Sequence, residues 1–281
     1  MMGDPINNTV EQTMTSSRLS PAIIQTRKNP EHPLVCLTAY TAPMAAIIDA
    51  HCDIILVGDS LGMVIYGMDG TTQVTTDMMV NHGKAVSRVC TNACLVVDMP
   101  FGTYEDSPEQ AVATATRIYN ETQCDAVKLE GGVDMAPMIR AIVNAGIPIM
   151  GHIGLQPQQA EKEGGFKIKG KTQEDTDRLL NDAKVVEDAG AFSFVIEGTI
   201  ADVSKQITQS VSVPTIGIGA CVECDGQILV TDDMLTLTPR QPKFVRHYAD
   251  LKTVIGDAVR HYADDVRNRK FPDDSEVYKV K

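Results

Sequence analysis

The stretch Asp53-Ile-Ile-Leu-Val-Gly-Asp-Ser60 decides how the chain is read. Its four consecutive apolar residues have strand length but lack the alternation of a strand with one wet face. Such a run suits a strand buried on both faces of a parallel sheet, ending in a carboxylate. Runs of the same kind recur at 34–40, 93–100, 126–131, 148–154, 192–198 and 214–220, with a weak one at 234–237. The intervening segments 41–52, 76–90, 135–145, 172–189, 200–211, 226–233 and 251–270 read as helices. Ser107-Pro-Glu109 opens another with a capping Ser and Pro at the first helical position, and Gly146 and Gly190 suit helix ends. Eight strands alternating with helices predict an α/β fold, a (β/α)8 TIM barrel, with a doubly wound open sheet as the alternative. The 281 residues match the roughly 250 of such a barrel plus short extensions. The expected organisation is a polar mobile N-terminal arm at 1–18, one barrel domain at 19–270 and a C-terminal tail at 271–281.

Composition narrows the function classes. The formal charge is −12, with 37 acidic against 25 basic residues. That balance argues against sequence-independent binding to nucleic acid or anionic membrane, both of which need basic patches. Seven cysteines are too few and odd in number for a disulfide scaffold, so a reducing cytoplasm is the expected home. No apolar run approaches the ~18 residues of a membrane span, and the first residues have no signal-peptide pattern.

The charges at the strand ends carry the chemistry. Asp59 ends the second strand and Asp98 ends Cys94-Leu-Val-Val-Asp98. Lys128 and Glu130, two apart in Ala126-Val-Lys-Leu-Glu130, share one strand face. His152 ends the fifth run and Glu197 the sixth. One such residue marks a strand leaving the core; five strands in succession point to an active site, because barrels build theirs at this end. Carboxylates crowded there repel unless a cation or proton intervenes. A hard divalent ion with oxygen ligands answers best, and zinc fits less well because its Cys and His ligands are missing apart from His152.

Other motifs weigh less. Gly165-Phe-Lys-Ile-Lys-Gly-Lys-Thr172 matches the phosphate-loop pattern letter for letter, but no buried strand precedes it. Gly217-Ile-Gly219 begins a dinucleotide fingerprint that Val222 breaks. Cys221-Val-Glu-Cys224 lacks the second pair of a zinc site and reads as cytosolic thiols in a loop. The 13 methionines read as core filler.

Ten segments together resemble one family, the 3-methyl-2-oxobutanoate (ketopantoate) hydroxymethyltransferases. They are Leu37-Thr-Ala-Tyr40, Leu56-Val-Gly-Asp-Ser-Leu-Gly-Met63, Asp98-Met-Pro-Phe101, Ser107-Pro-Glu-Gln-Ala111 and Val127-Lys-Leu-Glu-Gly-Gly132. Gly151-His-Ile-Gly-Leu-Gln-Pro-Gln158, Gly164-Gly-Phe-Lys-Ile-Lys-Gly170, Ile216-Gly-Ile-Gly-Ala220, Asp225-Gly-Gln-Ile-Leu-Val230 and Pro242-Lys-Phe244 complete them. The resemblance implies a barrel of the phosphoenolpyruvate/pyruvate type that uses Mg2+. It implies hydroxymethyl transfer from 5,10-methylenetetrahydrofolate to 3-methyl-2-oxobutanoate through a Mg-stabilised enolate, giving 2-dehydropantoate for pantothenate and coenzyme A. Carried over by motif, Asp59, Asp98 and Glu130 are the metal carboxylates, some acting through water. Asp59, Ser60, Asp98 and Lys128 are the keto-acid contacts, and Glu197 is the catalytic base. Tyr40 and His152 are expected to support these groups from behind. The apolar neighbours Phe194 and Ile196 predict a raised pKa for Glu197. A homodecamer, a pentamer of dimers, is implied as well. Cys221 and Phe166 depart from residues common in the family, at positions carrying neither metal nor base. Another Mg-dependent 2-oxo acid enzyme of the same barrel superfamily is the alternative; its Lys-Lys-Cys-Gly-His signature is absent here.

Overall fold

In the computed structural model, residues 18–239 and 242–279 are described. Eight parallel strands close into a barrel in chain order: β1 Leu34–Thr38, β2 Ile54–Val57, β3 Cys94–Asp98, β4 Ala126–Lys128, β5 Ile149–Gly154, β6 Ser193–Glu197, β7 Thr215–Ile218 and β8 Gly226–Leu229. The helices among the described residues are α1 Pro21–Gln25, α2 Ala42–Ile48, α3 Leu61–Val64, α4 Thr76–Ser87, α5 Pro108–Thr122, α6 Ala136–Asn144, α7 Gln173–Asp188, α8 Ala201–Ser210, α9 Thr231–Met234 and α10 Leu251–Arg267. Local chemistry places their ends. Thr41, Thr75, Ser107 and Thr172 accept backbone N–H bonds as N-caps, and Gly146 and Gly190 take the positive φ of a helix exit. The cap of α4 is Thr75, immediately before Thr76.

The two faces of each strand bury into different cores. Ile55, Val57, Leu95, Val97, Val127, Ile149, Phe194 and Ile196 pack against the helices. Leu34, Cys36, Ile54, Leu56, Cys94, Val96, Ala126, Met150, Val195 and Ile216 fill the barrel, with Ile24 of α1 among them. Period two then fixes what comes next along each inner column: Asp98 follows Val96, Lys128 follows Ala126, and His152 follows Met150.

One predicted strand is not where the sequence put it. The eighth is Gly226–Leu229, inside a segment read as a helix, while residues 234–237 finish α9 and turn at Thr236 with positive φ. Closure decides this. β8 pairs with both β1 and β7, and only Gly fits its start, since a Cβ on Gly226 would lie 2.7 Å from the Leu34 carbonyl oxygen. The expected arm falls almost wholly outside the described residues; Arg18, its last member, is tied to Asp125 by a 3.0 Å ion pair.

Below the barrel mouth, Asp49 organises the turn that leads into β3. It accepts from the backbone N–H groups of Thr91, Asn92 and Ala93 and from the side chains of Cys90, Thr91 and Asn92. Burial works against its charge, but these donors outweigh it and lower the pKa from 3.8 to about 2. The stabilisation is complete above the unfolded value and is lost as pH falls through the folded one. Asp49→Asn is therefore expected to lower stability at pH 7 by about 2 kcal/mol, with the deficit shrinking between about pH 4 and pH 2, measured by urea denaturation across that range.

Candidate active site

The inner columns of β3 to β6 all end in titratable groups at the same mouth. Asp98, Lys128, Glu130 and His152 are buried there, joined by Asp59 from the end of β2. Lys128 Nζ lies 2.9 Å from Asp98 Oδ1, and Asp98 Oδ2 accepts the Asp59 backbone N–H at 3.0 Å. Gly58 makes room for this approach, because a Cβ there would sit 2.9 Å from Ser60 Oγ and 3.5 Å from Asp98 Oδ2. His152 bridges the remaining acids, with Nδ1 3.4 Å from Glu130 Oε1 and Nε2 3.3 Å from Glu197 Oε2. Tyr40 shares a 2.7 Å hydrogen bond with Ser60. Ser60 and the charged groups floor a cavity of about 680 Å3 whose outer wall includes Met63, Leu155, Phe166, Ile168 and Phe244, with Tyr40 behind Ser60.

Electrostatics explains why the cluster holds together. Burial, then repulsion from Asp98 and Glu130, pushes the Asp59 pKa well up. Burial also raises Asp98, against the pull of Lys128. Lys128 loses hydration on burial, yet Asp98, Glu130 and Asp59 more than restore its charge and raise its pKa. His152 is opposed by burial and by Lys128, but Glu130 and Glu197 raise it to about 9. Two cations thus sit among four acids. Asp98 Oδ1 and His152 Nε2 are buried, and each meets its charged neighbour, Lys128 and Glu197, as an ion pair. Among the described residues no three His, Cys, Asp or Glu side chains converge as a ready-made ligand shell.

The profile described as ketopantoate hydroxymethyltransferase matches residues 18–274. The chain belongs to the ketopantoate hydroxymethyltransferase family. A relative from Mesorhizobium japonicum, a 3-methyl-2-oxobutanoate hydroxymethyltransferase, is 57% identical over 265 residues, 94% of this chain and 92% of its own. Two solved structures share the fold at low identity. A 2,3-dimethylmalate lyase of the PEP mutase/isocitrate lyase superfamily aligns with TM-score 0.57 and 16% identity over 92% of each chain. A phosphonopyruvate hydrolase in complex with oxalate and Mg++ aligns with TM-score 0.59 and 11% identity over 93% of each. This likeness is one of fold, a closed barrel of eight parallel strands.

Seen in this family, the expected site residues are brought together, and two further residues join them. Gln158 and Tyr104, both buried, connect the acids through hydrogen bonds. Polar residues in irregular loops have no periodicity to betray them; the one available signal was a Gln in a Pro turn just past a charged strand end. The expected neighbours of Glu197 were misjudged. Phe194 and Ile196 face the helices on the opposite side of β6, and the residue beside Glu197 is His152. The phosphate-loop look-alike follows a Pro157–Gln159 turn rather than a strand. Its Thr172 caps α7, and its Phe166 and Ile168 wall the mouth. Cys221 and Cys224 have sulfurs 3.8 Å apart and both are buried. Burial and the neighbouring Cys224 push the Cys221 thiol up to about 12, a poor nucleophile.

Lys128 is the cation on which the acids depend most closely. Lys128→Met leaves Asp98 buried without its counter-charge and is expected to destabilise the metal-free protein by roughly 3–5 kcal/mol, read as a lower urea midpoint at pH 7. An unchanged midpoint contradicts the ion-pair account.

Proposed function

We propose that this mouth performs the family's reaction, hydroxymethyl transfer to 3-methyl-2-oxobutanoate in pantothenate biosynthesis, with Glu197 as the base. The carrying observation is a carboxylate held by His152 at the rim of an otherwise carboxylate-and-lysine floor. The co-substrate is 5,10-methylenetetrahydrofolate, and the product is 2-dehydropantoate, the precursor leading to coenzyme A.

The residues present fit Mg2+. Every acid on the floor offers oxygen, and burial followed by repulsion from Asp98 and Glu130 raises Asp59, which a cation would relieve. Mg2+ takes one or two carboxylates directly and fills its shell with water and substrate. Acids that do not converge on one point suit that habit. Asp59, Asp98 and Glu130 would hold it, and when bound it supplies Lewis-acid charge to the keto acid's oxygens.

The chain's own groups do the rest. Lys128 places a second positive charge at the floor, against the anionic substrate. Ser60, oriented by Tyr40, fixes the keto acid together with Asp59 and Asp98. Glu197 then takes the C3 proton, and the electron pair left on carbon delocalises onto the keto oxygen. His152 keeps that carboxylate turned toward the substrate. The carbon takes up the folate's methylene unit as both of its C–N bonds break; water supplies the hydroxyl group, and tetrahydrofolate leaves with one nitrogen carrying the proton from C3 and the other the second proton of that water. The apolar wall of Met63, Phe166, Ile168 and Phe244 suits the flat folate rings and excludes bulk water from the carbanion.

Two properties belong to the same reading. The enzyme works in the cytoplasm, where its seven buried free cysteines stay reduced; no helix among the described residues is long and apolar enough to cross a membrane. It acts as a homodecamer, a pentamer of dimers. The apolar side chains of α10, Val254, Ile255, Val259 and Tyr262, are exposed in the single chain, as a helix awaiting another copy would be. Light scattering coupled to size exclusion is expected to give ten times the 30.4 kDa of one chain; a monomer mass refutes the assembly.

The chemistry is tested by incubating enzyme, Mg2+ and 3-methyl-2-oxobutanoate in D2O without folate while NMR follows the C3 proton. Wild type is expected to exchange it, EDTA to stop exchange, and Glu197→Gln to slow it by about 100-fold or more. Undiminished exchange in Glu197→Gln removes it as the base, and no exchange in the wild type removes the reading.

A further inference from the structure

Gln158 lies in the Pro157–Gln159 turn that follows β5 and is 2% exposed. Its backbone N–H donates to Glu130 Oε2 at 3.0 Å. Its side-chain amide donates to Asp59 Oδ2 at 2.8 Å and to the Met99 carbonyl oxygen at 3.0 Å. The side-chain oxygen accepts from the Tyr104 hydroxyl, which itself accepts the Glu130 backbone N–H at 3.3 Å.

These contacts leave no freedom in how the amide is turned. A carbonyl oxygen can only accept, so the NH2 must face Met99, and its second proton must go to Asp59. The remaining oxygen must then face Tyr104, whose single proton goes to it. Both amide donors and the amide acceptor are thus spoken for. One residue thereby fixes two carboxylates 71 positions apart in sequence, Asp59 and Glu130, by one oxygen each.

We propose that Gln158 is the positioning residue of the cation site, clamping Asp59 Oδ2 through its side chain and Glu130 Oε2 through its backbone N–H so that both carboxylates keep one orientation at the floor, while Glu130 Oε1 meets His152. Tyr104 locks the clamp in its working orientation. This rests on the proposed function only in taking the floor acids as the cation's holders. Gln158 suits the task because it brings hydrogen-bond donors without charge. A Lys or Arg in its place would compete with the ion for the same acids, and a Glu would add a further repelling oxygen. A neutral donor binds each carboxylate and leaves its charge for the metal.

The test measures Mn2+ binding by electron paramagnetic resonance on the folate-free and keto-acid-free protein, alongside thermal melting in EDTA. Gln158→Met keeps the length and burial but removes both side-chain donors. It is expected to weaken Mn2+ binding by roughly 10–100-fold. Tyr104→Phe, which removes a single hydroxyl, is expected to weaken it in the same direction by about threefold or more, a smaller loss because the clamp's donors remain. Because Tyr104→Phe is the milder change, it keeps the test open should Gln158→Met fail to fold. A residue that only stabilises the fold would lower the melting temperature and leave the Mn2+ dissociation constant of the folded protein alone. Mn2+ affinity within twofold of wild type in a folded Gln158→Met, or in Tyr104→Phe where that is the folded variant, overturns the clamp while the proposed function stands. Failure of the wild type itself to bind Mn2+ overturns the cation site and the clamp together.

Discussion

Acids crowded onto the inner face of a closed barrel repel, and the rest of this structure depends on how that repulsion is met. Asp59, Asp98 and Glu130 are all nearly inaccessible to water, where unpaired charge is costly. The chain answers in two ways. Lys128 and His152 place positive charge within the cluster. Neutral donors, the Asp59 backbone N–H and the backbone and side-chain amides of Gln158, hold oxygens in place without cancelling charge. The first device offsets charge within the cluster; the second orients carboxylate oxygens without offsetting their charge.

The barrel makes this arrangement reachable. Alternation along the strands assigns Val96, Ala126 and Met150 to the filled interior and Asp98, Lys128 and His152 to the next step outward. The same alternation turns Phe194 and Ile196 toward the helices. The packed floor below and the apolar wall above therefore enclose a narrow polar layer.

That layer was legible in the sequence because its residues obey the strand period and sit where buried runs stop. Asp59, Asp98, Lys128, Glu130, His152 and Glu197 could be named without coordinates. Their neighbours were less accessible to such reading. Gln158 and Tyr104 lie in turns, where no period links residue number to direction. Gly226–Leu229 reads as a poor strand in isolation and becomes one because β1 and β7 both need a partner. Phe194 and Ile196 were misplaced by treating nearness in sequence as nearness in space, against the parity that placed the other residues correctly. The phosphate-loop match failed for the opposite reason: its letters were present, but the strand that gives them meaning was not.

A crystal soaked with Mn2+ and 3-methyl-2-oxobutanoate tests the shared ion-and-substrate site most directly. The account predicts an anomalous manganese peak among Asp59, Asp98 and Glu130, with the keto acid between the ion and Lys128 and its C3 facing Glu197. A peak elsewhere, or a keto acid whose C3 points away from Glu197, contradicts it.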